Sequence, residues 1–173
     1  QLSGPAPWSF AQYQADFVDT IRFVAPANTG SQSDFPNATL ALTDSGGTLI
    51  TVFLSQSNGN WFSEGGLVDL ETGILFPLVY NSPLRWLELP LSMGNSFRDT
   101  AWGEFLASGP EVDVPVDSIR LKETVFRSDT VDALGTLKIP GLILENAIRR
   151  VRTDSIVDSL FVKTGGTWSY DST

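Results

Sequence analysis

The chain has 173 residues, of which 42% are hydrophobic and 18% charged, and it carries a formal net charge of −9 at pH 7. This size and balance predict one globular domain with a substantial apolar core, and they exclude a disordered chain. The excess of 20 acidic over 11 basic residues argues against nucleic acid and anionic membrane surfaces as partners. The chain has no cysteine and no histidine, which excludes disulfides, thiol nucleophiles, Ser-His triads and most zinc and copper sites.

The apolar runs are too short to cross a membrane, since a spanning helix needs about 20 apolar residues. The run at residues 137–144 is interrupted by Pro140 and Gly141. The chain begins at Gln1 without methionine, as a mature exported protein or a shortened chain would. Export also fits the absence of cysteine in a bacterial protein whose core replaces disulfides. We therefore expect a secreted, extracellular protein with no membrane insertion.

The elements predicted in the first two thirds are short strands separated by Gly, Asn, Asp, Ser and Pro. Residues 1–8 are predicted to be a tail or an added strand, and residues 9–173 a single β domain. Residues 10–17 fit either a helical turn or two or another conformation. Strands are predicted at residues 17–24, 39–42, 48–54, from 61 onwards, 84–91 and 119–126, with turns at 44–47 and 57–60.

The last third continues the same strand-and-turn pattern from residues 135–141 onward. Residues 147–152 and 155–163 are predicted as two strands, and a turn at Gly165 and Gly166 leads into residues 167–170. Residues 142–148 are the second segment that fits a short helix. Ten or so strands at regular spacing predict an all-β fold, either an antiparallel β-sandwich or a strongly curved, partly closed barrel.

A repeated triplet, Asp followed by Ser or Thr and then an apolar residue or Thr, stands above the background. It begins at Asp19, Asp99, Asp117, Asp129, Asp154, Asp158 and Asp171. Independent placement of these residue types predicts about one such triplet. One interpretation is structural, because Asp-Ser and Asp-Thr pairs bond nearby backbone groups at turns and strand ends.

The second interpretation is a modification site, since the triplet resembles the O-glycosylation motif of exported Bacteroidetes proteins. That resemblance implies covalent O-glycans on Thr20, Thr100, Ser118, Thr130, Ser155, Ser159 and Ser172. Bulky sugars require these hydroxyls to lie on the surface. In an extended strand the apolar third residue of each triplet would then lie on the opposite side from the hydroxyl. It would point toward the core.

Longer segments resemble an uncharacterised secreted β domain of Bacteroidetes surface proteins, of the kind exported by type IX secretion. The segments are residues 8–10, 33–38, 90–100, 133–141, and 149–152 followed by 154–156. The resemblance covers most of the chain and implies an extracellular location at the cell surface. The family has no assigned catalytic residues, so none is carried over to this chain.

Catalytic and metal chemistry has weak support. A glycosidase needs two carboxylates about 5 to 10 Å apart, one of them with a raised pKa. The candidates near tryptophans have no specific spacing; they are Glu64, Asp69, Glu71, Glu88 and Glu104. Among metals the available oxygen ligands favour calcium, and the densest acidic loop holds Glu111, Asp113 and Asp117. We expect no catalytic residues and no resident cofactor or metal.

Aromatic and basic residues suggest binding surfaces. Trp61, beside a polar turn, and Trp102 are candidates for stacking sugar rings, although a strand tryptophan is more often part of a core. The basic strand at residues 149–152 predicts that Arg150 and Arg152 share one face while Arg149 lies on the other. Those arginines would pair with Glu123 or Asp154 across strands, or with the acidic face of a second copy.

Together these observations predict a non-catalytic extracellular structural or adhesive domain. It would act as a self-assembling filament or surface-layer subunit, or would associate with other surface proteins. Residues 1–8 would then add as a strand to a neighbouring copy. The alternative is a carbohydrate-binding module for a polysaccharide, and the third is a glycosidase-like enzyme.

Overall fold

The computed structural model describes residues 6–12, 20–44, 51–70 and 73–171. Within these ranges the chain forms ten strands: β1 (Ala6–Ser9), β2 (Ile21–Val24), β3 (Leu40–Asp44), β4 (Thr51–Ser57), β5 (Asn60–Asp69), β6 (Leu75–Leu87), β7 (Ser96–Ser108), β8 (Ser118–Ile139), β9 (Leu142–Thr164) and β10 (Thr167–Asp171). Two single 3-10 turns, Pro26–Thr29 and Gly109–Val112, are the helical segments of the described ranges. The prediction of an all-β fold is confirmed.

The strands from β2 to β10 form one antiparallel sheet in which each strand pairs with its neighbour in the sequence. In this meander the chain reverses direction between successive strands, so each strand runs antiparallel to the one before it. The sheet does not close into a barrel. β1 lies outside this order and pairs parallel to β8 of its own chain, with Trp8 opposite Leu137. None of the helical segments in the described part of the chain is long and apolar enough to span a bilayer.

Two predicted turns are confirmed, at Asn58–Gly59 and Gly165–Gly166, and all four residues have positive φ. The separate strands predicted at residues 147–152 and 155–163 were wrong, because β9 runs through both without interruption. Residues 142–148 belong to the same strand, so the helical alternative is excluded there. The predicted turn at 44–47 and the helical alternative at 10–17 lie largely outside the described residues.

The sheet changes direction within β6. Ser63 of β5 pairs with Leu84, but Gly65 pairs with Val79, so the residues of β6 between them bulge out of register. Gly65 has a φ of +132°, and a Cβ there would lie 2.0 Å from the carbonyl oxygen of Leu78. A bulge of this kind bends a strand and strengthens its twist. The second arm of β6, after the bulge, therefore leaves the line of the first arm.

The core consists of three apolar clusters. The ring of Phe35 stacks on Phe53 at 3.9 Å between centroids, within the cluster of the β2–β5 half. Phe76 stacks on Phe105 at 5.1 Å and joins β6 to β7. A third, smaller cluster packs residues from the later strands together: Leu84, Ala101 and Val125. This apolar packing supplies the main driving force for folding.

Candidate functional site

The last strands have an inner and an outer face because side chains alternate along each strand. On β7 and β8 the odd-numbered residues from Ala101 and Val125 onward are mostly buried, while the even-numbered ones are mostly exposed. On β9 the parity is reversed, since Arg127 lies opposite Asp154 and Ser128 opposite Thr153. The inner face continues the core, and the outer face is turned to solvent.

The inner face carries a network of arginines and aspartates that sequence analysis did not find. Arg127 donates two hydrogen bonds to Asp154, from Nε to Oδ1 and from Nη2 to Oδ2, each at 2.7 Å. Asp129 is 3% exposed at its side chain and pairs with both Arg150, at 2.6 Å, and Arg152, at 3.4 Å. The prediction that Arg150 and Arg152 share one face is therefore confirmed.

The predicted partners of the basic strand were wrong in detail. Arg150 and Arg152 pair with Asp129, and Arg149 pairs with Asp132 at 2.7 Å, while Asp154 is held by Arg127. The register of β8 against β9 shifts between Val131 and Ala133, so Asp132 has no residue of β9 directly opposite. Asp132 instead pairs with Arg149, which lies opposite Ala133.

The same arginines attach the second arm of β6 to the inner face. Arg150 and Arg152 both donate to the carbonyl oxygen of Trp86, and Arg127 donates to the carbonyl of Arg85 at 3.1 Å. The guanidinium of Arg152 also lies 4.4 Å from the centroid of the Trp86 ring. Since β8 and β9 are two and three strands away from β6 in the sheet, the sheet must fold over itself to allow these contacts.

Charge and burial shift the pKa values within this network. The Arg127 guanidinium, which donates to both carboxylate oxygens, holds the pKa of Asp154 below its usual range. Burial, together with repulsion by Arg127 and Arg150, lowers the pKa of Arg152 from its usual value. Because the arginines of the network also donate hydrogen bonds to the backbone of β6, the arrangement fits a structural role in holding the two halves of the sheet together.

The outer face of β7, β8 and β9 carries rows of small hydroxyl side chains. Thr100 lies opposite Phe126, which lies opposite Ser155, so these three exposed residues form one row across the strands. We call the exposed set of Ser96, Thr100, Ser128, Thr130, Thr153 and Ser155 the hydroxyl face. An open depression on this surface is bordered by Arg98, Thr100, Phe126, Ser128, Thr153 and Ser155.

Three of the predicted glycosylation residues, Thr100, Thr130 and Ser155, lie on the hydroxyl face. The third residue of the triplet points to the opposite side, where Ala101 and Val131 are buried, but Ile156 is 56% exposed. The aspartates that begin these triplets point inward and take part in the polar contacts of the inner face. The strand alternation thus separates the aspartate and the hydroxyl of one triplet onto different faces.

The other predicted glycosylation residues are less alike in their surroundings. Thr20 is exposed just before β2, whereas Ser118 and Ser159 are only partly exposed. Ser118 lies between Ser108 and Lys163 at the start of β8, and Ser159 lies opposite Lys122. Ser172 is outside the described residues.

The two tryptophans predicted to stack sugars lie on different strands. Trp61 is partly buried on β5, between Gln56 and Leu87. Trp102 is 40% exposed on the outer face of β7, and the Lys122 Nζ lies 4.8 Å from its ring centroid. Phe126, on the same outer face, is 48% exposed and was not identified from the sequence. The sequence did contain a signal for this exposure, because strand alternation places Phe126 on the same face as the polar Thr124, two residues earlier.

The acidic residues considered for catalysis are dispersed over the fold. Glu64 is buried on β5, Asp69 ends that strand, and Glu104 is exposed on β7. Glu88, beyond the end of β6, pairs with Arg85 at 3.1 Å, and Glu71 is outside the described residues. Across the part of the chain that the structure describes, no three acidic side chains are grouped to hold a metal ion.

The acidic loop considered for calcium uses two of its carboxylates internally. Glu111 accepts hydrogen bonds from the backbone N–H and the hydroxyl of Ser108, both at 2.8 Å. The Ser108 backbone N–H lowers the pKa of Glu111, and the hydroxyl adds to the effect. Asp117 accepts the backbone N–H of Gly166 at 3.0 Å. These bonds close the ends of the loop and of the β9–β10 hairpin.

A carboxylate pair that the sequence analysis did not single out as a site lies further along the inner face. Glu123 is directly opposite Asp158 on β9, and its Oε1 accepts a hydrogen bond from the Tyr80 hydroxyl at 2.9 Å. Burial is the main cause of the raised pKa of Glu123, with a further contribution from the charge of Asp158. Burial also raises the pKa of Tyr80. The Tyr80–Glu123 hydrogen bond joins β6 to β8.

The outer side of β9 is an open sheet edge over most of its length. β10 pairs with β9 only from Leu160 to Thr164. Preceding residues of β9 have large exposed fractions of their apolar side chains, such as Val151 at 46% and Val157 at 50%. Exposed backbone N–H and C=O groups on such an edge are a template for another strand.

Comparison with known proteins adds no relative, since no family model, curated protein or solved structure matches this chain.

Proposed function

We propose that the chain is a non-catalytic, exported structural subunit of a Bacteroidetes cell surface, which assembles with copies of itself through its sheet edges. The observation that carries this proposal is the open ten-stranded sheet. Exposed apolar side chains lie near both edges, with Phe23 of β2 66% exposed and Ile156 56% exposed on β9, which β10 covers only from Leu160 to Thr164. Monomeric proteins usually shorten, twist or cover such edges to avoid pairing.

The inner face supports a mechanical role for the subunit. Asp129 and Arg127 are buried in ion pairs, and the arginines bind the backbone of β6. Guanidinium groups that share aspartate and carbonyl acceptors hold the two halves of the sheet in one geometry. A rigid subunit with fixed edges is what regular assembly of identical copies requires.

The hydroxyl face supports the proposal of O-glycans. Thr100, Thr130 and Ser155 stand perpendicular to the sheet on its solvent side, where a covalently attached sugar has room. Sugars on this face would leave the backbone edge in the plane of the sheet accessible. Glycosylation and edge-to-edge assembly are therefore compatible.

Electron microscopy of the protein isolated from its native surface tests the structural proposal. Filaments or ordered sheets with a repeating subunit are the expected result. Dispersed single particles at every protein concentration would contradict it. A recombinant sample without glycans, imaged in parallel, separates assembly by the chain itself from assembly that needs sugars.

A carbohydrate-binding module is the second candidate, favoured by the aromatic side chains of the outer face. Phe126 is exposed between Thr100 and Ser155, and Trp102 is close by on β7. Aromatic rings on a β surface can stack on sugar rings. Loss of binding to a panel of polysaccharides in Phe126→Ala and Trp102→Ala, but not in Trp61→Ala, would support this function. Unchanged binding in all three variants would oppose it.

A further inference from the structure

The free edge of β9 has two defined ends. At its C-terminal end β10 begins to pair at Leu160. At its N-terminal end the register with β8 shifts beyond Ala147, and Asn146 has a φ of +58°. Between these limits residues 147–159 form one continuous strand, although β8 has a bulge opposite Arg149 and Arg150. No further strand lies beside residues 147–159 among the described residues. Thirteen residues of extended chain span about 44 Å.

The middle of this free edge is Thr153. If two copies pair antiparallel about a two-fold axis perpendicular to the sheet, each residue meets the one equally far on the other side of the centre. With Thr153 on the axis, Arg152 lies opposite Asp154 of the second copy, and the same pair forms a second time by symmetry. Opposite charges on directly facing residues stabilise an antiparallel pair.

Neighbouring registers bring like charges together. A centre at residue 152 places Arg152 opposite itself, and a centre at 154 does the same for Asp154. A centre at 151 places Arg150 opposite Arg152. Like charges in directly opposite positions destabilise a strand pair. The charge pattern thus favours Thr153 as the centre, and Thr153 is also the midpoint of the free edge.

We propose that a second copy of this chain binds the free edge of β9, antiparallel, with Thr153 on the two-fold axis. The pairing joins the two ten-stranded sheets into one and covers part of the exposed surface of Val151 and Ile156. Arg152 and Asp154 are only partly buried, with side-chain exposures of 22% and 28%. Each can therefore keep its partner within the chain and gain a contact across the axis. The proposal gives one specific interface to the assembly function proposed above.

Disulfide trapping tests the register directly because the chain has no cysteine. Thr153→Cys places a thiol from each copy at the axis, where the Cα atoms of facing residues are about 4.5 to 5.5 Å apart. That distance suits a disulfide. Under mild oxidation we expect most of the Thr153→Cys protein to become a covalent dimer.

Two controls are matched to this variant. Ser128→Cys lies directly beside Thr153 on the same outer face but one strand further from the edge. Its Cα atoms in the two copies would be three strand spacings apart, roughly 14 Å, which is too far for a disulfide. Val157→Cys lies on β9 itself but four residues from the axis. Both control proteins are expected to remain mostly uncrosslinked.

Charge repulsion provides a second measurement that does not depend on oxidation. Thr153→Lys places two ammonium groups at the axis, and we expect it to weaken dimerisation at least tenfold in sedimentation equilibrium. Ser128→Lys adds the same charge away from the edge and should leave the dissociation constant within twofold of the unchanged protein.

The outcomes separate this proposal from the assembly function. Ordered assemblies that persist in Thr153→Lys, with no Thr153→Cys crosslink, overturn the β9 interface but leave the structural role. A crosslinked dimer at residue 153 without larger assemblies supports the interface and opposes a filament or surface layer. Equal crosslinking of Thr153→Cys and Ser128→Cys indicates random collisions and also overturns the interface.

Discussion

Arg127 and Asp154 face each other on adjacent strands, and the guanidinium donates to both oxygens of the carboxylate at 2.7 Å. Asp154 is also the first residue of an Asp-Ser-Ile triplet, whose serine lies on the opposite, solvent-exposed face. The triplet thus combines an inner charge with an outer hydroxyl. The aspartate has a structural partner whether or not the serine carries a sugar.

Removing Asp129 should destabilise the fold strongly. Its buried carboxylate pairs with Arg150 and Arg152. In Asp129→Ala both arginines lose this partner while they remain next to the backbone of β6. Breaking one side of a buried ion pair costs about 3 to 5 kcal/mol. We expect a loss of this size in the free energy of unfolding, measured by urea denaturation. Asp132→Ala, which removes the partly exposed partner of Arg149, is the control and should change stability much less.

Glu123 should make stability depend on pH in the opposite sense to a salt-bridged carboxylate. Its pKa is raised in the folded protein, so its protonated form is favoured by folding. Its favourable contribution is complete below the unfolded pKa, about 4.3, and is lost as the pH rises through the folded value. We therefore expect Glu123→Gln to raise the free energy of unfolding at pH 7 relative to the unchanged protein. The difference should shrink toward pH 4, and an equal difference at both pH values would contradict this account.

Gly65 should tolerate no side chain. Its φ of +132° is unfavourable for other residues, and a Cβ would lie 2.0 Å from the Leu78 carbonyl oxygen. Gly59→Ala is the matched control, since that glycine also has a positive φ but no atom within 4 Å of the added Cβ. We expect Gly59→Ala to cost about 1 kcal/mol, as strain alone does, and Gly65→Ala to cost clearly more. Similar thermal midpoints for the two variants would show that the bend in β6 is not fixed by Gly65.

Glycopeptide mapping by mass spectrometry tests the hydroxyl face. In protein isolated from its native surface we expect sugar on Thr100, Thr130 and Ser155, where the hydroxyls are exposed. Ser118 and Ser159 are partly covered, so we expect lower occupancy there. A sample without sugar on the first three residues would contradict the glycosylation proposal. Sugar mainly on the two covered serines would show that exposure does not select the sites.

The fold class followed from local sequence because alternating apolar residues and turn-forming Asn and Gly act over short distances. Sequence alternation also indicated that Arg150 and Arg152 share a face. The unbroken course of β9 was missed because Thr153 and Asp154 interrupt the apolar pattern. Asp154 is accommodated within the strand by Arg127, which is 27 residues earlier in the chain.

The surroundings of the candidate sites depended on contacts that no local pattern contains. Asp129 meets Arg150 and Arg152 because of the register between β8 and β9, which places Asp129 opposite Arg152 and Val131 opposite Arg150. The attachment of Trp86 to the arginines depends on the bulge of β6, which lies opposite the unusual backbone of Gly65 on β5. The exposure of Phe126 and the partial burial of Trp61 likewise depend on how the strands pack against one another.

Amide hydrogen exchange on β9 at low and high protein concentration tests most directly whether copies assemble through this edge. Alternate N–H groups between residues 147 and 159 point away from β8 and are predicted to exchange rapidly in dilute protein. In concentrated or assembled protein we expect these amides to become protected, while those of exposed turns such as Asn58–Gly59 do not change. Assembled protein in which the β9 edge amides exchange as fast as in the dilute state would contradict the account.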